Sequence, residues 1–256
     1  MIRPPAVAGA FYPGDEAELK ATIEEYLSAA KEVKLEGRIR GMVVPHAGYV
    51  YSGPIAAYGY KLLAKQKPKE IAILGPSHYA MFPGACESGF QFWDTPLGRV
   101  KVKSATGGPI SVFPTAHGPE HCLEVQLPFL QAILGEKFEV WPLLCGEVDP
   151  EELADAVMER MDKDTFIIAS SDLSHYKSYD TARKIDAIAN ESVPALDIAR
   201  FEREGDACGK TAILTLMHIA KKKKWKGKLL DYRNSGDTAG PKDQVVGYGC
   251  YAFYSK

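Results

Sequence analysis

Cysteine is scarce in this chain: five residues in 256 (Cys86, Cys122, Cys145, Cys208 and Cys250), an odd number, widely spaced and without a C-x-x-C pair. That usage speaks against a disulfide framework or a structural zinc knuckle and fits a reducing compartment. No apolar run is long enough to span a bilayer, and no basic segment followed by an apolar core opens the chain. Neither a membrane anchor nor a signal peptide is therefore expected. A formal net charge of −2 leaves no excess of either sign to draw in nucleic acid or anionic lipid. Repeats, low-complexity tracts and linkers are missing as well. The one charge block, Lys221 to Lys224, follows an apolar helical stretch and reads as a solvated last turn favoured by the helix dipole. Together these absences predict a cytoplasmic protein with no membrane or nucleic-acid partner.

What is present is ordinary in amount, with 46% apolar and 25% charged residues, and informative in order. Apolar, β-branched runs over 39–44, 70–74, 138–144, 166–169 and 244–254 read as strands. Between them lie amphipathic stretches. A helix capped by Asp15 is expected over 15–31, and another with Ser52 at its N-cap and Pro54 in its first turn, running to Ala64. Further helices are expected over 120–134 (with Pro128 kinking it or shifting its start), 149–161, 179–196 (interrupted at Pro194) and 207–222. Residues 90–103 read as a hairpin turning at Thr95-Pro96-Leu97-Gly98, and residues 1–14 hold too many breakers for a regular element. The alternation predicts one α/β domain over 1–256: a three-layer sandwich with a mixed, mostly parallel central sheet and helices on both faces.

Three of the strands end alike. Val43-Val44 runs into Pro45-His46-Ala47-Gly48, Ile73-Leu74 into Gly75-Pro76-Ser77-His78-Tyr79, and Ile168-Ala169 into Ser170-Ser171-Asp172-Leu173-Ser174-His175-Tyr176. If these strands are parallel neighbours, their imidazoles share the C-terminal rim of the sheet, where open α/β sheets place ligands. His46, His78 and His175 with Asp172 form a nitrogen and oxygen set suited to a first-row transition metal, as in non-haem Fe(II) and hydrolytic zinc sites. The plain alternative is that each imidazole only hydrogen-bonds its own loop. Asp172, three residues before His175, could orient that imidazole or merely cap a turn. Ser77, Ser170 and Ser171 lack a G-x-S-x-G elbow and are discounted as nucleophiles.

Cys208 falls where the helix over 207–222 begins, beside Lys210, a position that favours thiolate; ligand and bystander both remain open for it. His117-Gly118-Pro119-Glu120-His121 spells H-x-x-E-H, but Gly118-Pro119 would break the continuous helix that a zincin site needs. Glu120 and His121 read instead as the first turn of the following helix. Tyr49, Tyr51 and Tyr79 adjoin the histidines as cleft walls or as packing.

The chain also resembles a known family. Ala8-Gly9-Ala10-Phe11-Tyr12-Pro13, Pro45-His46-Ala47-Gly48-Tyr49-Val50-Tyr51-Ser52-Gly53, Gly75-Pro76-Ser77-His78, Glu120-His121 with Glu124-Val125-Gln126-Leu127-Pro128, and Ser170-Ser171-Asp172-Leu173-Ser174-His175-Tyr176 are together similar to the Memo family, whose prokaryotic branch is also called AmmeMemoRadiSam system protein B. The resemblance implies a fold like that of LigB-type class III extradiol dioxygenases. It implies a metal site at His46, His78 and Cys208, with His175 as acid/base and Asp172 beside it. Ligand contacts are expected from His121, Tyr49, Tyr51 and Ser77. Fe(II) is the ion it favours, with copper or zinc as alternatives, because a cysteine replaces the dioxygenase carboxylate and softens the site. It also implies a functional link to radical-SAM and AMMECR-type proteins. The leading expectation is a metal-dependent redox or dioxygenase-like protein acting on a small molecule or peptide. The alternative is a binding module in which the same cleft and the Ser52 helix N-terminus hold a phosphotyrosine-like peptide or small anion without turnover.

Overall fold

The computed structural model describes residues 1–256. At its centre four strands lie parallel in the order Glu139–Cys145, Glu70–Pro76, Phe166–Ser170 and Arg38–Val44. The long last strand, Val245–Ser255, pairs antiparallel with Arg38–Val44 and also with Lys226–Asn234. On the other side the expected hairpin forms from Phe92–Thr95 and Gly98–Val102, joined to the sheet through Glu139–Cys145. The sheet is α/β, mixed and parallel at its core.

Side chains along the central strands alternate between two separate hydrophobic cores, as the period of two requires. Met42, Val44, Ile71, Ile73 and Ile168 point into one, and Val43, Ala72, Leu74, Ile167 and Ala169 into the other. The first core is closed by helices Glu16–Ala29, Tyr49–Leu63 and Leu127–Leu134, through Leu19, Ile23, Ile55 and Leu127. The second is closed by Pro150–Arg160, Tyr179–Ala195 and Lys210–Lys222, through Leu153, Val157, Ala189 and Ile213. Burial on both faces makes these strands continuous apolar runs. Three layers result, with one sheet between two sets of helices.

Several local expectations are corrected. The second helix begins at Tyr49 with Gly48 at its N-cap, and Pro54 lies inside it. Proline is tolerated there because the carbonyl it leaves without a partner is that of Val50, on the exposed first turn. Pro128 shifts the start of its helix to Leu127, behind a short 3-10 turn at Glu124–Gln126. Pro194 does not interrupt Tyr179–Ala195, which continues one residue past it. In the N-terminal arm Ile2–Arg3 does form a short strand, parallel to Phe92–Thr95. All five cysteines are free, and no helix is long and apolar enough to cross a membrane.

Ile168 is fully buried in the middle of the sheet. Ile168→Ala should cost about 3 kcal/mol of folding free energy, read from the urea midpoint. A loss under about 1 kcal/mol would mean that the centre of the sheet is not packed as described.

Candidate metal centre

The register of the parallel strands converts three distant sequence motifs into one site. Val43 pairs with Ala169, and Ala169 with Leu74, so these three residues form a row across the sheet. Counting onward from that row, His46 and Asp172 follow after three residues and His78 after four. All three emerge at the same rim, and the Cys208 loop reaches it from the layer of helices beyond the second core. Asp172 N–H donates to Cys208 Sγ at 3.3 Å, and Cys208 N–H donates to the Asp172 carbonyl at 3.2 Å, binding the two loops together. Gly209 N–H donates to Ser171 Oγ at 2.8 Å, and a Cβ on Gly209 would come within 2.7 Å of the Ser170 carbonyl oxygen. Only glycine permits that approach.

One ligand atom each from His46, His78 and Cys208 falls within 4.8 Å of the other two. Cys208 Sγ is 3.2 Å from His46 Nε2. That separation is close to what a sulfur at about 2.3 Å and a nitrogen at about 2.1 Å from a shared ion would show, with a near-right angle between them. The opposite nitrogens are occupied. His46 Nδ1 is 3.0 Å from Ser170 Oγ, whose own hydrogen goes to the Cys122 carbonyl at 2.6 Å. The hydroxyl must therefore accept from His46, leaving the lone pair of a neutral imidazole on Nε2. Gln126 fixes that hydroxyl from behind, donating to it at 2.8 Å and to the Pro45 carbonyl at 3.0 Å, while Tyr60 donates to Gln126 Oε1.

His78 is held by a carboxylate. Glu120, almost fully buried, accepts from His78 N–H at 2.7 Å, His78 Nδ1 at 2.9 Å, His121 N–H at 2.8 Å and Cys122 N–H at 3.1 Å. Burial alone would raise the pKa of Glu120, but the hydrogen bonds from His121 and His78 outweigh it and hold the carboxyl well below its usual range. His78 is pushed up to about 9 by its hydrogen bond to Cys208 and then by Glu120, against burial and the neighbouring His46. Burial pushes the Cys208 thiol up, opposed by His78. This corrects the expected thiolate: Cys208 precedes the helix Lys210–Lys222 by two residues, and desolvation of the sulfur dominates.

The remaining expected residues divide. His121 stands in the site, its ring 4.9 Å from that of His78, 5.6 Å from that of His46 and 4.8 Å from Phe11. It belongs to an irregular turn and not to a helix. Helix Pro114–His117 ends at the other histidine of H-x-x-E-H, which is buried with Nε2 on the Cys86 carbonyl, so the two do not share a face. Tyr51 and His175 line the cleft, which has a volume of about 630 Å³. Asp172 does not orient His175; its Oδ1 accepts from His46 N–H at 2.8 Å. Tyr49 is buried against Phe129 with its hydroxyl on the Val125 carbonyl, a packing role. Ser77 Oγ donates to the Ala80 carbonyl at 2.8 Å, closing the turn that carries His78. The helix N-terminus is also less available than expected: Tyr49 N–H goes to the Phe11 carbonyl, and those of Tyr51 and Ser52 go to Gly48.

Ser170, Glu120 and Gln126 are the residues whose roles the sequence did not disclose. The signal lay in the segment from Glu120 to Gln126, whose polar residues interrupt an otherwise apolar stretch.

A family model described as Memo-like protein matches residues 3–252. The chain belongs to the Memo family. Relatives described as MEMO1 family proteins include one from Nitrosopumilus maritimus, 35% identical over 274 residues, covering 99% of this chain and 100% of the relative. One from Methanopyrus kandleri is 37% identical over 281 residues, covering 99% of each. One from Thermoplasma volcanium is 39% identical over 263 residues, covering 97% of each. The similarity spans every loop of this Memo-family site.

His78 sets a pH dependence. Its pKa in the folded chain, about 9, exceeds the ordinary 6.5. The stabilisation it contributes to the metal-free protein is therefore complete below about pH 6.5 and is lost as pH rises through about 9. His78 is exposed, so solvent screening discounts the shift, and we expect the urea midpoint of chelator-treated protein to fall between pH 6 and 9.5 by the equivalent of about 1 kcal/mol. Glu120→Gln should flatten that fall. A flat wild-type profile would show that the Glu120–His78–Cys208 chain does not form.

Proposed function

We propose that this Memo-family protein is a metal-dependent redox protein whose ion is held by His46 Nε2, His78 Nε2 and Cys208 Sγ. The observation that carries the reading is that both imidazoles have their Nδ1 positions engaged from behind, one by Ser170 and one by Glu120, while their Nε2 sides converge on one sulfur. Fixing the outer nitrogen is how metal-binding histidines are oriented. A donor set of two nitrogens and one sulfur suits iron or copper, and also redox-silent zinc. An iron or copper ion would supply electron-transfer chemistry that no side chain here provides. The protein's own contribution is to place a ligand. Phe11 and His121 form one wall, Tyr51 and Tyr176 the mouth, and His175 stands where it can hold or move a proton on a bound molecule.

The binding-module reading finds less support. No lysine or arginine lines the cleft, and the N–H groups of Tyr49, Tyr51 and Ser52 are already bonded within the protein. A phosphorylated ligand would meet no guanidinium or ammonium, and the protonated His78 is already paired with the Glu120 carboxylate.

Protein purified without oxygen should carry close to one equivalent of a transition metal by elemental analysis, and His46→Ala/His78→Ala should carry almost none. Because His78 and Cys208 both hold protons in the metal-free state at neutral pH, loading with zinc at pH 7 should release about two protons per ion. Equal metal content in both proteins, or uptake with no proton release, would defeat this assignment.

A further inference from the structure

Arg3 is a buried cation, 1% exposed, at the very start of the chain. Its five N–H donors all have partners. Nε donates to the His117 carbonyl at 2.8 Å; Nη1 donates to Glu124 Oε2 at 2.6 Å and more loosely to the Pro4 carbonyl at 3.4 Å. Nη2 donates to the Glu120 carbonyl at 2.5 Å and to that of Gly118 at 3.4 Å. The guanidinium lies 4.3 Å over the Trp93 ring. Three of those five acceptors are backbone carbonyls of one turn, residues 117–120. Pro119 has no N–H to give, so that turn has little backbone pairing of its own. A planar fork of five donors can gather carbonyls in this way; an ammonium cannot.

Glu124 supplies the counter-charge and ties the arm to the same turn. Its oxygens also accept from Ala6 N–H at 2.7 Å, Val7 N–H at 3.1 Å and the Tyr12 hydroxyl at 2.6 Å. Glu120 then links the two sides of the turn. Its main-chain oxygen faces Arg3, and its carboxylate faces the cleft and holds His78 at both N–H and Nδ1. Arg3 forms no hydrogen bond to a residue of the metal centre other than this backbone contact.

We propose that Arg3, together with Glu124, is a positioning residue for His78. By collecting the carbonyls of His117, Gly118 and Glu120 it aims the Glu120 carboxylate, which keeps a proton on His78 Nδ1 and leaves Nε2 for the ion. The part concerning the ion rests on the metal-centre reading above. The part concerning Glu120 and His78 does not.

The test reads both parts. In metal-free protein, the His78 Nδ1 proton, shielded by Glu120, should give a slowly exchanging resonance in nitrogen-15-edited imidazole spectra. Zinc titration gives the affinity. Two variants are compared: Arg3→Lys, which keeps the charge and loses the fork, and Arg3→Met/Glu124→Met, which removes both charges so that neither is stranded. In each, the His78 resonance should broaden or vanish, and zinc should bind about 10–100-fold more weakly, as in Glu120→Gln. Leu19→Ala, a truncation in the core beneath helix Glu16–Ala29, should lower stability and change neither readout. Should the double variant fail to fold, Arg3→Lys decides alone. The proposal is overturned if a folded Arg3 variant keeps the wild-type His78 resonance, or if Leu19→Ala disturbs it equally. Wild-type protein that shows the resonance and binds no zinc would sink the metal reading and leave the positioning role standing.

Discussion

The in-register pairing of three parallel strands is the constraint on which this molecule depends. Val43, Ala169 and Leu74 share one row, and the distance from that row to each functional side chain is set by a few residues of loop. Strand register is specified strongly here because both faces are buried, and a slip of one residue would exchange the contents of the two cores. The same apolar packing that fixes the fold therefore fixes where the imidazoles emerge. Chemistry at the rim needs no separate positioning of the strands.

Around that rim His46 and His78 are supported by unlike partners. His46 leans on a neutral chain running from Tyr60 through Gln126 to Ser170, whereas His78 leans on an ionised carboxylate. A carboxylate behind an imidazole makes its far nitrogen more basic than a hydroxyl does. The pair is thus asymmetric, one imidazole backed by a negative charge and the other by a neutral hydroxyl. Cys208 lies between them with its sulfur desolvated, so a cation that neutralises the thiolate gains what water would otherwise have supplied.

Much of this was legible in the sequence, and the reasons are physical. Buried parallel strands write themselves as short apolar runs, and the residues just after such a run must lie at the sheet's edge; His46, His78 and Asp172 were visible for that reason. The helix start at Tyr49 was not, because Gly48 contributes no capping side chain and Ser52-Gly53-Pro54 imitates a first turn. Glu120 was visible as a residue but not as a partner of His78, since 42 positions separate them and only the tertiary fold aims its carboxylate. Asp172 showed the reverse error. Its closeness to His175 in sequence suggested a pair, yet its carboxylate serves the backbone of His46, 126 positions away. Local spacing predicts contacts along an element well and contacts across a cleft poorly.

The place of the final strand has a bearing on biosynthesis. Val245–Ser255 lies against Arg38–Val44, with Tyr251 opposite Val43, so the strand leading to His46 gains its second neighbour only from a segment 208 positions later in the sequence. Val246, from that strand, also lines the cleft. During translation the emerging chain must hold an incomplete sheet, with one apolar edge uncovered, until the segment that forms Val245–Ser255 has emerged. The cleft is therefore assembled late, after the loops that carry its imidazoles have already been made.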